Sequence, residues 1–284
     1  MMFTLHAPAK INWFLSVLGK RDDGYHEISS LMQCVDVYDT LLFEESDALE
    51  VISDLKDLPV EQNLVYRAAM LMQTIAGGKK GARITLKKEI PLAGGMGGGS
   101  CDAAVTLIGL NRLWHMKLGT ERLREVGTSI GSDVPFFINS VYALVEGRGE
   151  VITPLSGAPA VPLLLVNPGI PVSTAWAYKA CQIGLTKKTV DIKLFCQTLD
   201  SGDFALLQSL MVNDLEEAVI GVYPEIGRVK DRLRLLGAAA SAMSGSGSTV
   251  FGVFRSAEDA QNAARNIDSP WCRAVTTLTE KDLV

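Results

Sequence analysis

One stretch of this 284-residue sequence decides how the chain is interpreted: Pro91-Leu92-Ala93-Gly94-Gly95-Met96-Gly97-Gly98-Gly99-Ser100-Cys101-Asp102. It lies between a predicted strand, Ala82–Lys88, and a predicted helix that begins at about Cys101. Glycines let the backbone approach a ligand closely and turn several N–H groups inward. A helix N-terminus adds unpaired N–H groups and the positive end of the helix dipole. The stretch therefore predicts an anion site, most naturally for phosphate.

Two better-known phosphate signatures do not describe this loop. A P-loop needs lysine directly after its last glycine, whereas Gly99 is followed by Ser100. The dinucleotide pattern G-x-G-x-x-G, started at Gly95 or at Gly97, meets Ser100 or Asp102 where it needs glycine. From the loop alone, a flexible hairpin with Ser100 as an ordinary N-cap stays an alternative.

Composition and charge exclude several classes of protein. Asp and Glu number 32 against 27 Lys and Arg, a net charge of −5, which disfavours a nucleic-acid partner. Five scattered cysteines and three histidines have no metal-ligand spacing, so we expect no zinc site and a reducing, cytoplasmic location. The long uncharged stretches Val151–Tyr178 and Leu235–Phe254 contain prolines and a Ser-Gly turn, respectively, so we expect no membrane span. Residues 1–10 have no basic region followed by an apolar run, so we expect no signal peptide.

The order of predicted elements indicates an α+β fold in two domains. Strands rich in β-branched and aromatic residues come first, and a β-α-α-β-α-β layout follows a Pro-rich run at Thr153–Pro162. We therefore predict domains over residues 1–154 and 155–284. The predicted helices cover Asn63–Ala76, about 101–114, about 121–130, about 203–211, Pro224–Leu236 and a segment opened by Ser256 and Asp259.

Three separated motifs together resemble the GHMP kinase superfamily of galactose, homoserine, mevalonate and phosphomevalonate kinases. They are Ala7-Pro8-Ala9-Lys10-Ile11-Asn12, the glycine stretch, and Ser244-Gly245-Ser246-Gly247-Ser248. Further runs resemble the members that act on a cytidine diphosphate conjugate: Gly19-Lys20-Arg21-Asp22-Asp23-Gly24-Tyr25-His26, Asn63-Leu64-Val65-Tyr66-Arg67-Ala68, Gly131-Ser132-Asp133-Val134-Pro135-Phe136-Phe137, Glu146-Gly147-Arg148-Gly149-Glu150 and Asn213-Asp214-Leu215-Glu216. The motifs occur in order, so the resemblance covers nearly the whole chain.

The resemblance implies a two-lobed GHMP kinase fold. Its N-terminal domain would be ribosomal-protein-S5-like and its C-terminal domain ferredoxin-like, with ATP and a small-molecule substrate meeting between them. It further implies ATP as co-substrate, Mg²⁺, and phosphorylation of a substrate hydroxyl. We expect a monomer or weak homodimer with no nucleic-acid or membrane partner.

The resemblance assigns catalysis to Asp133 and Lys10. Asp133 would be the general base that takes the proton from the attacking hydroxyl. Lys10 would keep Asp133 ionised and favour the developing alkoxide. From the residues alone, Asp133 is equally well a helix N-cap and Lys10 a solvated lysine.

On the ATP side, the resemblance assigns phosphate contacts to Pro91–Cys101 and an adenine contact to Asn63. Many relatives have serine where this chain has Cys101, and a thiol is a poor Mg²⁺ ligand, so Ser100 or water would supply any ligand there. The adjacent Lys87 and Lys88 either neutralise the charge of a phosphate or are solvent-exposed lysines at the end of a strand.

Substrate contacts are implied at Asn12, Tyr25, His26, Thr174 and Tyr178. His26 would hydrogen-bond the cytosine edge, and Tyr178 would stack on the cytosine ring. The alternative for Tyr25 and His26 is a buried aromatic pair.

The resemblance implies that the turn at residues 245–247 supports the far side of the phosphate site. From the residues alone it is equally an ordinary Ser/Gly turn.

Two rival functions stay open at this point. A homoserine- or mevalonate-type kinase is disfavoured by the run from Asp23 to His26. A non-catalytic nucleotide- or RNA-binding protein is disfavoured by the acidic balance and by the joint presence of Lys10 and Asp133.

Overall fold

A computed structural model describes residues 1–55, 58–181 and 190–282. In chain order its elements are β1 (Met2–Lys20), β2 (His26–Glu44), β3 (Leu49–Ser53), α1 (Leu64–Ile75), β4 (Ala82–Lys87), α2 (Gly98–Leu113), α3 (Thr120–Thr128), β5 (Tyr142–Gly147), β6 (Val151–Pro154), β7 (Pro162–Asn167), α4 (Thr174–Ala180), α5 (Ile192–Ser201), α6 (Phe204–Leu210), α7 (Glu216–Val222), α8 (Pro224–Leu235), β8 (Ala240–Met243), β9 (Val250–Val253), α9 (Ala257–Ala264) and β10 (Trp271–Thr276).

The chain forms two compact units that alternate along the sequence. The first unit comprises Met1–Ala9, Val37–Ile90 and Gly97–Ser140. The second comprises Lys10–Asp36, Pro91–Met96 and Val141–Val284. The long strands β1 and β2 each contribute residues to both units, and so does the glycine stretch.

In the first unit, three strands support helices α1 and α2. The second half of β2 pairs antiparallel with β4, which pairs in parallel with β3. Alternate residues of β4 are buried, as expected for a strand with one face on a core. Helix α2 lies so close to this sheet that a methyl group added at Gly109 would be 2.4 Å from the Phe43 ring. The mid-helix glycine therefore has a packing reason, despite its low helix propensity.

The second unit contains a ferredoxin-like sheet. Its strand order is β10-β7-β9-β8, with every pairing antiparallel. Numbered along the chain this order is 4-1-3-2, as in the ferredoxin-like motif. The first half of β2 also lies in this unit, paired antiparallel with β5, which pairs with β6.

The predicted α+β class is confirmed, and the elements differ from prediction in instructive ways. Two predicted strands, Phe3–Ala7 and Ile11–Leu18, are one strand through Pro8. In the described part of the chain β1 has a ladder with β2 alone, and a strand edge outside a ladder tolerates proline. Five short or weakly patterned elements have no clear signal in the sequence: β6, β8, α4, α5 and α7. The boundary at residues 154 and 155 stays a prediction.

Among the described residues, none of the helices has the length and apolar character needed to cross a membrane.

Candidate functional site

In the second unit, the first part of the glycine stretch interlocks with the turn at Ser244–Ser248. Gly95 has φ +75°, and a methyl group added there would lie 2.1 Å from the Ser244 carbonyl oxygen. Gly245 has φ +56°, and its methyl group would lie 2.9 Å from the Gly95 carbonyl oxygen. The Thr249 N–H also donates to the Gly94 carbonyl at 3.1 Å. Close backbone contacts fix the conformation of this part of the stretch, which argues against the flexible hairpin.

Lys10 is directed at this turn. Its side chain is buried, and its ammonium donates to the Gly95 carbonyl at 2.9 Å and to Asn12 Oδ1. The Asn12 amide in turn donates to Ser30 Oγ at 2.7 Å. The backbone N–H of Lys10 donates to the Met96 carbonyl at 3.0 Å. Lys10 is therefore a fixed buried cation and not a solvated surface residue.

Other predicted substrate residues also lie in the second unit. The rings of His26 and Tyr178 stack, with centroids 5.3 Å apart and planes 27° apart. Burial, followed by the charge of Lys20, lowers the pKa of His26, so its imidazole is neutral at pH 7. Thr174 Oγ1 lies 2.9 Å from Ser246 Oγ, which ties α4 to the Ser244–Ser248 turn.

Tyr25 does not form a buried pair with His26. Its side chain is about half exposed, and the Arg148 guanidinium lies over its ring at 4.9 Å. His26 has Tyr178 as its ring neighbour instead.

In the first unit, the second part of the glycine stretch begins helix α2. Gly97 is the N-cap, in the left-handed region at φ +69°, and the helix starts at Gly98, three residues before the predicted start. A methyl group at Gly98 would lie 2.9 Å from the Ile90 side chain, so close packing requires glycine inside the first turn. The first intrahelical bond runs from Cys101 N–H to the Gly97 carbonyl at 2.8 Å. An α-helix leaves the preceding N–H groups, here of residues 98–100, without intrahelical acceptors.

Cys101 and Ser100 differ in exposure at this helix start. The Cys101 side chain is fully buried, whereas Ser100 is partly exposed. Within the described ranges, no group of three or more His, Cys, Asp or Glu side chains could hold a metal ion.

Asp133 lies in a turn beside the start of α2. A methyl group at Gly131 would be 4.0 Å from Ser100 Oγ, and Asp133 follows two residues later, partly exposed. The short 3-10 helix Pro135–Phe137 has Val134 as its N-cap and no side-chain cap bond. The N-cap interpretation of Asp133 is therefore wrong.

Asn63 caps α1, with its Oδ1 accepting from Val65 N–H at 2.9 Å. The neighbouring Leu64 is in contact range of Gly99, since a methyl group there would be 3.5 Å from Leu64 Cδ1. The start of α1 and the start of α2 are therefore neighbours within the first unit.

Both expectations for Lys88 are wrong. Its ammonium is buried and bonded to Asp39 and Asp102. Lys88 is therefore not a solvent-exposed lysine, and its charge is not available for phosphate.

The turn at Ser244–Ser248 is held by contacts that the sequence does not reveal. Asn213 donates from its amide to the carbonyls of Met243 and Gly245, at 2.8 Å each. The motif beginning at Asn213 is visible in the sequence, but its partners depend on the fold.

Comparisons with known proteins cover both units. GHMP kinases N terminal domain matches residues 63–140, and GHMP kinases C terminal matches residues 192–271. The 4-diphosphocytidyl-2-C-methyl-D-erythritol kinase of Thermodesulfovibrio yellowstonii is 48% identical over 98% of this chain and 99% of its own length. A solved structure of 4-(cytidine 5'-diphospho)-2C-methyl-D-erythritol kinase superposes with a TM-score of 0.85 at 33% identity, covering 97% of this chain and 99% of that one.

A solved homoserine kinase from Cytophaga hutchinsonii has a TM-score of 0.73 at 19% identity, covering 98% of this chain and 95% of that one, and so shares the fold alone. The two matched regions and the near full-length relatives lead to one conclusion: this chain belongs to the GHMP kinase family.

Proposed function

We propose that this chain is an ATP-dependent kinase that phosphorylates the 2-hydroxyl of 4-diphosphocytidyl-2-C-methyl-D-erythritol. This is a step of non-mevalonate isoprenoid precursor synthesis, which we place in the cytoplasm. The observation that carries the proposal is the buried Lys10, held on the carbonyl of Gly95 within the glycine stretch. The near full-length relatives with that name support the choice of substrate.

ATP would be held by backbone groups in place of a basic surface. The N–H groups at the start of α2 and the positive end of its dipole suit phosphate oxygens. Mg²⁺, when bound, would neutralise charge on the transferring phosphoryl group. The Ser100 hydroxyl fits the hard-oxygen preference of Mg²⁺, and the buried Cys101 thiol does not.

Asp133 would take the proton from the substrate hydroxyl as its oxygen attacks the γ-phosphorus and ADP leaves. The Lys10 ammonium would stabilise the negative charge that develops on that oxygen.

The cytidine diphosphate conjugate would be recognised in the second unit. The stacked rings of His26 and Tyr178 offer an aromatic surface for a cytosine ring, and the neutral imidazole can donate or accept a hydrogen bond. Tyr25, Asn12 and Thr174 would contact the remaining parts of the substrate.

A substrate panel tests the proposal. ADP release would be measured with Mg-ATP and, separately, the cytidyl substrate, homoserine and mevalonate. We expect turnover of the cytidyl substrate alone. Turnover of homoserine or mevalonate, without turnover of the cytidyl substrate, would contradict the proposal.

Asp133→Asn tests the general base in the same assay. Because the amide cannot accept the proton, we expect kcat to fall by about 10²- to 10⁴-fold with thermal stability unchanged. Survival of near wild-type turnover would remove Asp133 from the catalytic role.

A further inference from the structure

Three ionisable side chains form a buried cluster in the first unit, at the chain segments on either side of Pro91–Met96. The Lys88 ammonium donates to Asp102 Oδ2 at 2.7 Å and to Asp39 Oδ2. The side chains of Lys88, Asp39 and Asp102 are 7%, 0% and 3% exposed. We call these three residues the clasp.

The clasp joins the two chain segments that flank Pro91–Met96. On one side, Asp39 Oδ1 accepts from the backbone N–H groups of Glu89 at 2.6 Å and Ile90 at 2.9 Å. On the other side, Asp102 belongs to the beginning of α2. Lys88 links the two carboxylates, so the residue before Pro91 and the start of α2 are fixed to a single group of charges.

Close packing around Gly98 leaves little room for Ile90 or the start of α2 to move. A methyl group at Gly98 would lie 2.9 Å from the Ile90 side chain and 3.3 Å from Lys88 Nζ. The orientation of the N–H groups at residues 98–100 therefore depends on where the clasp holds Ile90 and α2.

Stability alone is a poor reason for the clasp. Taking charged groups out of water costs several kcal/mol per ion, and well-packed apolar side chains often replace a buried ion pair without loss. Two carboxyl groups share one ammonium, and Asp102 Oδ1 has no hydrogen-bond partner among the described residues. The clasp instead fixes the relative geometry of the groups that it joins, because charged hydrogen bonds define one geometry more narrowly than apolar contacts do.

We propose that Asp39, Lys88 and Asp102 are positioning residues for ATP: they set the backbone N–H groups at the start of α2 in the geometry that the phosphates require. The proposal rests on the proposed function for the identity of the ligand. The clasp acts through Ile90 and Gly98 and does not itself touch phosphate. Displacement of a positioned group by about 1 Å can cost about 100-fold in rate, so a loosened helix start has a measurable effect.

The test is a comparison of KM values in variants of the full chain. Lys88→Met removes the link. The double variant Lys88→Met/Asp102→Asn also removes the uncompensated carboxylate and leaves Asp39 with its two backbone donors, so it retains the fold if Lys88→Met alone does not. We expect KM for ATP to rise about tenfold, with KM for the cytidyl substrate within about twofold of wild type.

One control separates positioning from stability. Leu110→Ala leaves a cavity under α2 away from the clasp and is expected to destabilise the fold by about 2 to 5 kcal/mol without raising KM for ATP.

An unchanged KM for ATP in the folded double variant would overturn the inference. So would a rise in KM for ATP with Leu110→Ala that matches the rise in the double variant. Calorimetric titration with Mg-ATP alone gives the same comparison without an acceptor substrate, so the inference and the proposed function can fail separately.

Discussion

Lys10 and Lys88 show how the partners of a residue decide its role. Both are lysines in or beside strands, and both are buried. Lys10 is held by a backbone carbonyl and an amide oxygen, so its positive charge is not cancelled by these two partners. Lys88 is held by the carboxyl groups of Asp39 and Asp102, so its positive charge is used within the cluster. The first suits charge stabilisation and the second suits positioning.

Lys10→Ala should therefore affect the chemical step. With the ammonium removed, the developing charge on the attacking oxygen loses its stabilisation, and we expect kcat to fall by about 10²- to 10³-fold. Lys10→Arg should cost less, because the charge is kept while the geometry changes. Steady-state kinetics at saturating ATP measure both. Equal losses for the two variants would show that charge is not what Lys10 contributes.

At the scale of elements, the two glycine turns of the second unit depend on each other. Gly95 and Gly245 each have a positive φ and each leave no room for a side chain beside the other's turn. The need for glycine at these positions is not purely local, because the close approach of the two backbones excludes a Cβ atom.

Gly95→Ala should disrupt this arrangement. The added methyl group meets the Ser244 carbonyl at 2.1 Å, and we expect a loss of about 2 to 4 kcal/mol in the free energy of unfolding, with a raised KM for ATP. Gly202→Ala is the matched control, because Gly202 has a similar φ of +67° and nothing within 4 Å. Chemical denaturation measures both variants, and equal losses would mean that φ alone explains the glycine.

At the scale of the whole molecule, the stability of the chain should depend on Asp102. Burial raises the pKa of Asp102 to about 7, with Lys88 and Asp39 as the charged groups that face it. The folded protein then keeps a proton that the unfolded chain has released above its ordinary carboxyl pKa of about 4. Stability contributed by this group is therefore lost as pH rises from about 4 through about 7.

Asp102→Asn should flatten this dependence. Between about pH 5 and about pH 7 we expect the wild type to lose roughly 2 kcal/mol relative to the variant, because one retained proton contributes about 1.4 kcal/mol per pH unit. Urea denaturation across this range measures the difference. Parallel curves for the two proteins would contradict the assignment of the proton to Asp102.

Much of the fold and of the candidate site could be predicted from the sequence, and the misses have a common cause. Helix α1 and its cap Asn63 follow from local periodicity and capping, and were predicted to within a residue or two. The start of α2 was misplaced, because glycine has low helix propensity and its reason for being there is Ile90, which packs against it. The two lysines beside the loop could not be told apart without knowing that Asp39 lies next to Lys88.

The sequence by itself determined the family, the phosphate-type loop and most of the candidate residues, because motifs of residue type and spacing are carried by short contiguous runs. Only the tertiary structure decided that Lys10 is held on Gly95, that His26 stacks on Tyr178 and that Lys88 is shared by two carboxylates. These contacts join residues far apart in the chain. They depend on strand pairing and helix packing, which residue spacing does not encode.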